Sequence, residues 1–427
     1  MSYKQQPGAT KSGGKATVAI VLVTSLFFIW GLTMNLVNAL DTPMANYMQL
    51  TGTESSLLRV AYYGAYFLMA IPASLVARRF GYKGGVICGL CLFVIGSFIT
   101  IPAMDAMSYG IFLFAMFVIA LGAATLETNC NPYITKLGDE KHESMRLNLA
   151  QSFNGVGNIV GPLILGQVIG TTIAPNVAGF EQARQEFFSA TQHIYIVIGI
   201  VVAVVLCIFI FVKLPEPQAD VEEQKSGEKQ TGIASSLMHQ PHFVLGVVAE
   251  FVFIGLQVAG MALFSAFAMK HWTGMTAGMA TSYLAILSLL FTIGRFVTTP
   301  LMNKFEPGKI LGTYMVVSAI LMLISGFGID YVSVITFLVA YLFISIGYPT
   351  IYALTLKNIK GSAAKAGSSA LTMSIVGAAL IPLLLSAISD AASIEVALVV
   401  MAPGFLFVAW YAFRGSKIGL STDKAAN

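Results

Sequence analysis

The sequence predicts an all-α polytopic membrane protein of twelve transmembrane helices in two pseudo-symmetric six-helix halves. Three observations carry that prediction. Of the 427 residues, 56% are hydrophobic and only 10% charged, whereas a soluble domain carries about a quarter charged residues. Such a chain cannot cover an ordinary water-facing surface, which excludes a soluble enzyme, a nucleic-acid binder and a disordered tail protein. A bilayer span takes roughly 20 apolar residues, and twelve stretches of about that length recur along the chain. Twenty of the 24 Lys and Arg residues then fall on one side of those stretches, the asymmetry that marks cytoplasmic loops.

The apolar stretches cover residues 16–40, 57–77, 84–104, 109–134, 147–170 and 193–213, then 243–266, 279–301, 309–329, 332–356, 368–389 and 394–413. Between the sixth and seventh lies Pro215 to Gln240, containing EPQADVEEQKSGEKQ, which is too polar to pack and reads as a solvated linker. It divides the chain into an N-terminal half (1–213), a linker (214–240) and a C-terminal half (241–427). Two equal halves joined this way describe a carrier with its site at the midplane between them. The basic residues alternate accordingly: Lys4, Lys11 and Lys15 in the tail, Arg78, Arg79 and Lys83 after the second span, and Lys136, Lys141 and Arg146 after the fourth. Only Arg59, Arg184 and Lys270 fall opposite, while Arg295 lies within a span. Both termini and the linker are therefore expected in the cytoplasm. The first stretch has no small-residue cleavage site and is read as a retained helix rather than a signal peptide. Cys88, Cys91, Cys130 and Cys207 all sit in apolar stretches. The Cys88/Cys91 pair lacks a second pair or a nearby His, so small apolar filler is expected and no metal or cofactor.

Polar groups inside the spans carry the functional information, since a charge at mid-bilayer costs about 2.5 to 3.5 kcal/mol on insertion scales. Glu127 lies deep in the fourth span, flanked by Thr125, Thr128, Asn129 and Asn131 and followed by Pro132. Removal from water favours the protonated form of an acid, the property a reversible proton carrier needs; the plainer reading is an acid hydrogen-bonded between helices. Glu250, one or two turns inside the seventh span, reads equally as a functional acid or as a helix-end acid facing the cytoplasm. Gln257, two turns further, shares its face. Arg295 either snorkels or pairs with an acid in the cavity. At the end of the first span, Asn35, Asn38 and Asp41 recur every three residues and form a polar stripe. Amides and a carboxylate suit sugar hydroxyls, which both donate and accept, although Asp-Thr-Pro is also a helix-stop signal. In the fifth span Gln151 and Asn154 face together, and Gly157, Gly161, Pro162 and Gly166 permit close helix approach.

FFIWG in the first span, LETNCNPYITKLG in the fourth, RLNLAQSFNGVG in the fifth, GLQ in the seventh, GRF and KFEPGK around the eighth and YPTIYALTLKN in the tenth resemble the L-fucose permease branch of the major facilitator superfamily. The resemblance runs from about Ser25 to Ala392. It implies the major facilitator fold and a sugar:proton symporter of the bacterial inner membrane, with Glu127 as the essential fourth-helix carboxylate and Gln151 and Asn154 lining the sugar cavity. The family's first helix usually reads NLND, its Asp central to proton coupling; here NLVN puts Asn38 at that position. The loop signature after the second span also departs, with Ala77 in place of its usual Asp beside Arg78, Gly81 and Lys83.

The expected mechanism is alternating access. A monosaccharide binds through Asn35, Asn38, Gln151, Asn154, Gln257 and Arg295, with Trp30, Phe153 or Tyr348 stacking on its apolar side. Glu127 takes the proton, with Asp41 supplying the acid displaced from the family position. L-fucose comes first as substrate, then glucose or galactose. A uniporter or exchanger on the same scaffold would account for the missing Asp, and a sugar sensor would bind without net transport. No enzymatic constellation such as HExxH is present. The chain is expected to act as a monomer in the lipid bilayer with no nucleic-acid partner.

Overall fold

The computed structural model describes residues 13–169, 175, 177–217 and 232–420. With no water inside a bilayer to satisfy backbone groups, an apolar chain of this kind spans it as helices, and helices are what it forms. The first half comprises α1 (Gly13–Tyr47), α2 (Gly52–Asp105), α3 (Tyr109–Lys136), α4 (Glu143–Ile169) and α5 (Phe180–Phe211). A short α6 (Ile233–Met238) leads into α7 (Pro241–His271), α8 (Ala277–Thr298), α9 (Pro307–Gly326), α10 (Asp330–Ile344), α11 (Gly347–Thr355), α12 (Gly361–Ser374), α13 (Gly377–Ala391) and α14 (Ile394–Phe413). Among the described residues, ten helical stretches are long and apolar enough to cross a membrane. One of them, Val60–Asp105, is 46 residues long and contains a break; α4, at 27 residues, is not among the ten. The expected twelve is reached when the two arms of α2 are counted separately and α4 is included.

The break in α2 falls at Gly81, whose φ of 73° is open to glycine at no steric cost. Its second arm begins with free backbone N–H groups, and the Glu216 carboxylate accepts from Tyr82 N (3.4 Å) and Lys83 N (3.5 Å). Lys83 Nζ in turn donates to the carbonyls of Ile210 and Val212 at the end of α5, both at 2.9 Å, and Tyr133 donates to Pro215 O at 2.7 Å. At the far side of the same segment, Ile233 and Leu237 of α6 are buried. The stretch from Pro215 to Gln240 is thus packed at both described ends rather than solvated throughout: one end caps helix termini and the other buries an i, i+4 apolar pair. Its middle lies outside the described residues. We call this face of the bundle the linker end.

Three further features differ from expectation. Helix α1 runs through Asp41, Thr42 and Pro43 to Tyr47, so Asp-Thr-Pro does not stop it. The expected span 332–356 is two helices, α10 and α11, separated at Ser345 and Ile346, and the span 368–389 lies across α12 and α13, separated at Ile375 and Val376. Both breaks press on α7: a Cβ on Gly347 would overlap the Phe253 ring, and one on Gly377 the Phe251 carbonyl.

Within the first half, α1 packs on α4, and α2 on α3 and α5; within the second, α7 packs on α11, α13 and α14, and α9 on α14. The α1/α4 seam is close because Gly157 and Gly161 lie against the backbone of Phe28 and Leu32, the small-residue packing expected for these glycines. Contacts of α4 with α8 and α11, and of α12 with α2 and α3, join the halves.

Candidate functional site

Between the halves lies a cavity of about 310 Å³, at the small end of the range for ligand sites. It takes Trp30 and Asn35 from α1, Tyr63 and Tyr66 from α2, Glu127 from α3, and Gln151, Asn154 and Asn158 from α4. The second half supplies Gln257 from α7, Phe291 and Arg295 from α8 and Tyr348 from α11. On the first-half wall the amides form a chain: Asn35 Nδ2 donates to Asn158 Oδ1 (2.6 Å), Asn158 Nδ2 to Asn154 Oδ1 (3.2 Å), and Asn154 Nδ2 to the Phe27 carbonyl (3.1 Å).

The floor toward the linker end is built across the two halves. Tyr348 donates its hydroxyl to Glu127 Oε1 at 2.7 Å, Asn131 Nδ2 donates to that hydroxyl at 3.0 Å, and Gln151 Nε2 reaches Asn131 Oδ1 at 3.4 Å. Arg295 Nε donates to the Ser345 carbonyl at 2.6 Å, satisfying a group freed by the break between α10 and α11. Its Nη1 donates to the Gln151 carbonyl at 2.8 Å, and its guanidinium lies 4.6 Å from the Phe291 centroid. Beyond the floor, Ser368 donates to Thr128 O (2.5 Å), Thr128 to Thr372 (3.1 Å) and Asn148 to Thr350 (3.0 Å). At the surface Lys360 pairs with Glu140 at 2.8 Å, and the lysine beside it holds the Glu140 carboxyl below its usual range.

Of the residues singled out in the sequence, Asn35, Glu127, Gln151, Asn154, Gln257 and Arg295 all line this one cavity. Asn38 and Asp41 lie in α1, but their side chains are outside the described part of the structure. Of the two readings open for Arg295, pairing with an acid is not what the structure shows: its hydrogen bonds go to two carbonyls, and its charge faces a ring. Phe153 is not a cavity residue; it is 40% exposed and packs edge-on against Phe296. Glu250 is not a vestibule acid, being 0% exposed. Asn158 was missed although it falls one turn beyond Asn154 and two beyond Gln151, on the same face. Tyr63, Tyr66 and Phe291 carry no such signal, because aromatic residues are common throughout the spans.

Chemically the cavity offers amides that both donate and accept, ring faces on several sides and, among the described residues, one acid. The Gln257 Oε1 is buried there with no hydrogen-bond partner. Among the described residues no group of His, Cys, Asp and Glu is arranged to hold a metal ion.

Residues 21–374 match the sequence pattern of the Major Facilitator Superfamily. The chain is 34% identical over 385 residues to the L-fucose-proton symporter of Escherichia coli K12, covering 88% of this chain and 87% of that protein. It is 32% identical over 400 residues to a glucose/galactose transporter of Brucella abortus, covering 93% and 94% of the two chains. The crystal structure of FucP, a major facilitator transporter in the outward conformation, superposes with a TM-score of 0.85 at 32% identity, over 93% of this chain and 99% of that one. With the pattern match spanning most of the sequence and relatives aligned nearly end to end, the chain belongs to the major facilitator superfamily.

Proposed function

We propose that this chain is a secondary active sugar carrier, which couples uptake of L-fucose or a related hexose to inward proton movement by alternating access. The moving units are the halves 1–213 and 241–427, joined by the linker 214–240. The linker and both termini face the cytoplasm, and the carrier works as a monomer in a bacterial inner membrane. Sugar binds through Asn35, Asn38, Gln151, Asn154, Gln257 and Arg295; Glu127 and Asp41 carry the proton. The observation that most supports this reading is the cavity itself, where amides and rings that suit a polyhydroxylated ligand share one small space with Glu127. The names of the two relatives point to the same substrate class.

The chemistry is a matter of charge and access. In the arrangement described, the linker end is closed by contacts made through Tyr348, Thr372 and Thr350. Neutralising Glu127 removes the dehydration cost of a buried carboxylate and lets the loaded carrier reorient. Inward movement of one proton contributes about 2.3 kcal/mol per 100 mV, enough for roughly fiftyfold accumulation at 1.4 kcal/mol per decade.

The test is uptake into sealed vesicles from a panel of labelled hexoses, with and without an imposed pH gradient. A sugar of the fucose, galactose or glucose type should accumulate only with the gradient. Glu127→Gln, which mimics the protonated acid, should retain counterflow and lose accumulation. Full accumulation in that variant would remove Glu127 from the coupling role. Asn38, standing where the family has its Asp, favours a second reading as a uniporter. That reading expects counterflow with no alkalinisation of the medium in the parent protein.

A further inference from the structure

Glu250 lies nine residues into α7, and both of its carboxyl oxygens are buried without a hydrogen-bond partner. Its exposure is 0%. On the same helix Ile254 and Gln257 line the cavity, whereas Glu250 does not. Seven residues separate it from Gln257, about 10.5 Å of rise toward the linker end, so it sits behind the cavity floor. The groups within electrostatic reach are Glu127 of α3, Tyr348 and Tyr352 of α11, and Tyr411 of α14. Each phenol is engaged elsewhere: Tyr348 with Glu127, Tyr352 with Ser368, and Tyr411 with Thr355. Among the described residues the other packed elements bring no compensating cation, and Lys417 in the turn after α14 pairs with Glu306. Helix α13 carries no titratable residue before Asp390 near its far end, and Lys365 of α12 lies over the Tyr82 ring at 4.9 Å. Arg295 is committed to carbonyls, and His242, two turns toward the linker end of α7, is itself buried.

We infer that Glu250 is a second proton-carrying acid of the transport cycle, on the linker side of the sugar cavity. The inference rests on the proton-coupled reading above. A carboxylate in this place would have neither water nor a donor to stabilise it, so the acid keeps its proton while the floor is closed. The floor is made of cross-half bonds from α11 and α12 to α3 and α4, and Tyr348, which faces Glu250, makes one of them. When the halves rock and those bonds part, water reaches the α7 and α11 surface from the linker side, and Glu250 can ionise. Glu127 in the cavity and Glu250 behind its floor would then meet water in opposite phases of the cycle. An ionisable residue inside a membrane span that serves packing alone is the exception, and a packing acid would ordinarily be hydrogen-bonded.

Two measurements test this. In vesicles, Glu250→Gln should exchange sugar within about twofold of the parent, while gradient-driven accumulation falls from roughly fiftyfold toward unity; Glu250→Asp should recover part of it. Independently, the infrared carbonyl stretch of a protonated acid that disappears in Glu250→Gln should, in the parent protein, lose intensity as the pH rises. A pH-invariant band, or parental accumulation in Glu250→Gln, would make Glu250 a static packing group and overturn the inference. If the parent protein exchanges sugar but never accumulates it, the coupled reading fails, and the infrared band still decides whether Glu250 exchanges its proton. Should Glu250→Gln fail to fold, Glu250→Asp carries both measurements through the shift of its band.

Discussion

Tyr348 Oη lies 2.7 Å from Oε1 of Glu127, and the bond joins the two halves of the chain. The residue proposed to carry the proton is therefore also one of the fasteners of the closed floor. The same hydroxyl accepts from Asn131 Nδ2, so one oxygen serves an acid and an amide of the first half at once. Any change in the charge of Glu127 acts directly on a contact that must break for the carrier to turn over.

Tyr348→Phe removes that oxygen and leaves Oε1 of Glu127 and Nδ2 of Asn131 without this partner. Leaving a buried polar group unpaired costs about 1–3 kcal/mol, charged only to the state in which the floor is closed. The equilibrium should move about 5- to 150-fold toward the form open at the linker end. Spin labels on α4 and α12 near that end would report it as a shift to longer distances. An unchanged distance distribution would mean that the bond does not hold the floor.

The α1/α4 seam gives a stability prediction with its own control. A Cβ at Gly157 would overlap the Phe28 carbonyl and crowd Leu32 N, backbone atoms that cannot rotate away. Gly157→Ala should lower the thermal unfolding midpoint in detergent, by an overpacking cost of about 1–3 kcal/mol. Gly110, at the start of α3, has nothing within 4 Å of the added carbon, and Gly110→Ala should stay within about 0.5 kcal/mol of the parent. Equal stability of the two variants would deny that the seam is close-packed.

What was legible in the sequence follows from contrast. Glu127, Gln151, Asn154, Gln257 and Arg295 stand out because each is a polar side chain inside an apolar run, and all of them line one cavity. Asn158 was as visible as Asn154, at a spacing of four residues, and needed only one more turn of the same face. The break at Ser345–Ile346 did have a mark, Pro349, which has no N–H to return to the Ser345 carbonyl four residues before it; the break at Ile375–Val376 has no such proline and becomes apparent only from what α7 presses against Gly377. Depth is the other hidden quantity. Periodicity puts Glu250 and Gln257 on one face, but nothing in a sequence says that the cavity floor passes between them. The packed ends of the linker were hidden for a similar reason, since the partner of Glu216 is a helix start created by Gly81 more than a hundred residues away.

Lys360 and Glu140 make an ion pair across the halves at the linker end, with side chains 55% and 69% exposed. The lysine lowers the pKa of the Glu140 carboxyl, so the pair favours the closed floor at any pH above the usual carboxylate range. Its contribution is lost as pH falls through the lowered value and is flat across neutrality. An exposed pair is worth about 0–1 kcal/mol. Glu140→Gln should therefore shift the closed population by about fivefold at most at neutral pH, and should remove an acid-side change seen in the parent. Spin-label distances recorded against pH would check this. A Glu140-dependent transition near neutral pH would contradict it.

The last prediction concerns the acid that the first helix lacks at its family position. Asp41 is not a helix end: α1 continues for six residues beyond it, to Tyr47. It lies three residues past Asn38, about 4.5 Å along the axis and some 60° around it, and six past Asn35, which lines the cavity. The role proposed for Asp41 is to exchange protons at the end of the bundle away from the linker before Glu127 does. Asp41→Asn should then abolish gradient-driven accumulation while preserving counterflow, and adding Asn38→Asp should restore part of the accumulation by returning an acid one turn closer to the cavity. The double variant matters because a loss in Asp41→Asn alone could come from a disturbed α1, which a second substitution would not repair. If Asp41→Asn accumulates sugar as the parent does, coupling on this scaffold rests on acids behind and within the cavity, and Asp41 serves only the helix that carries it.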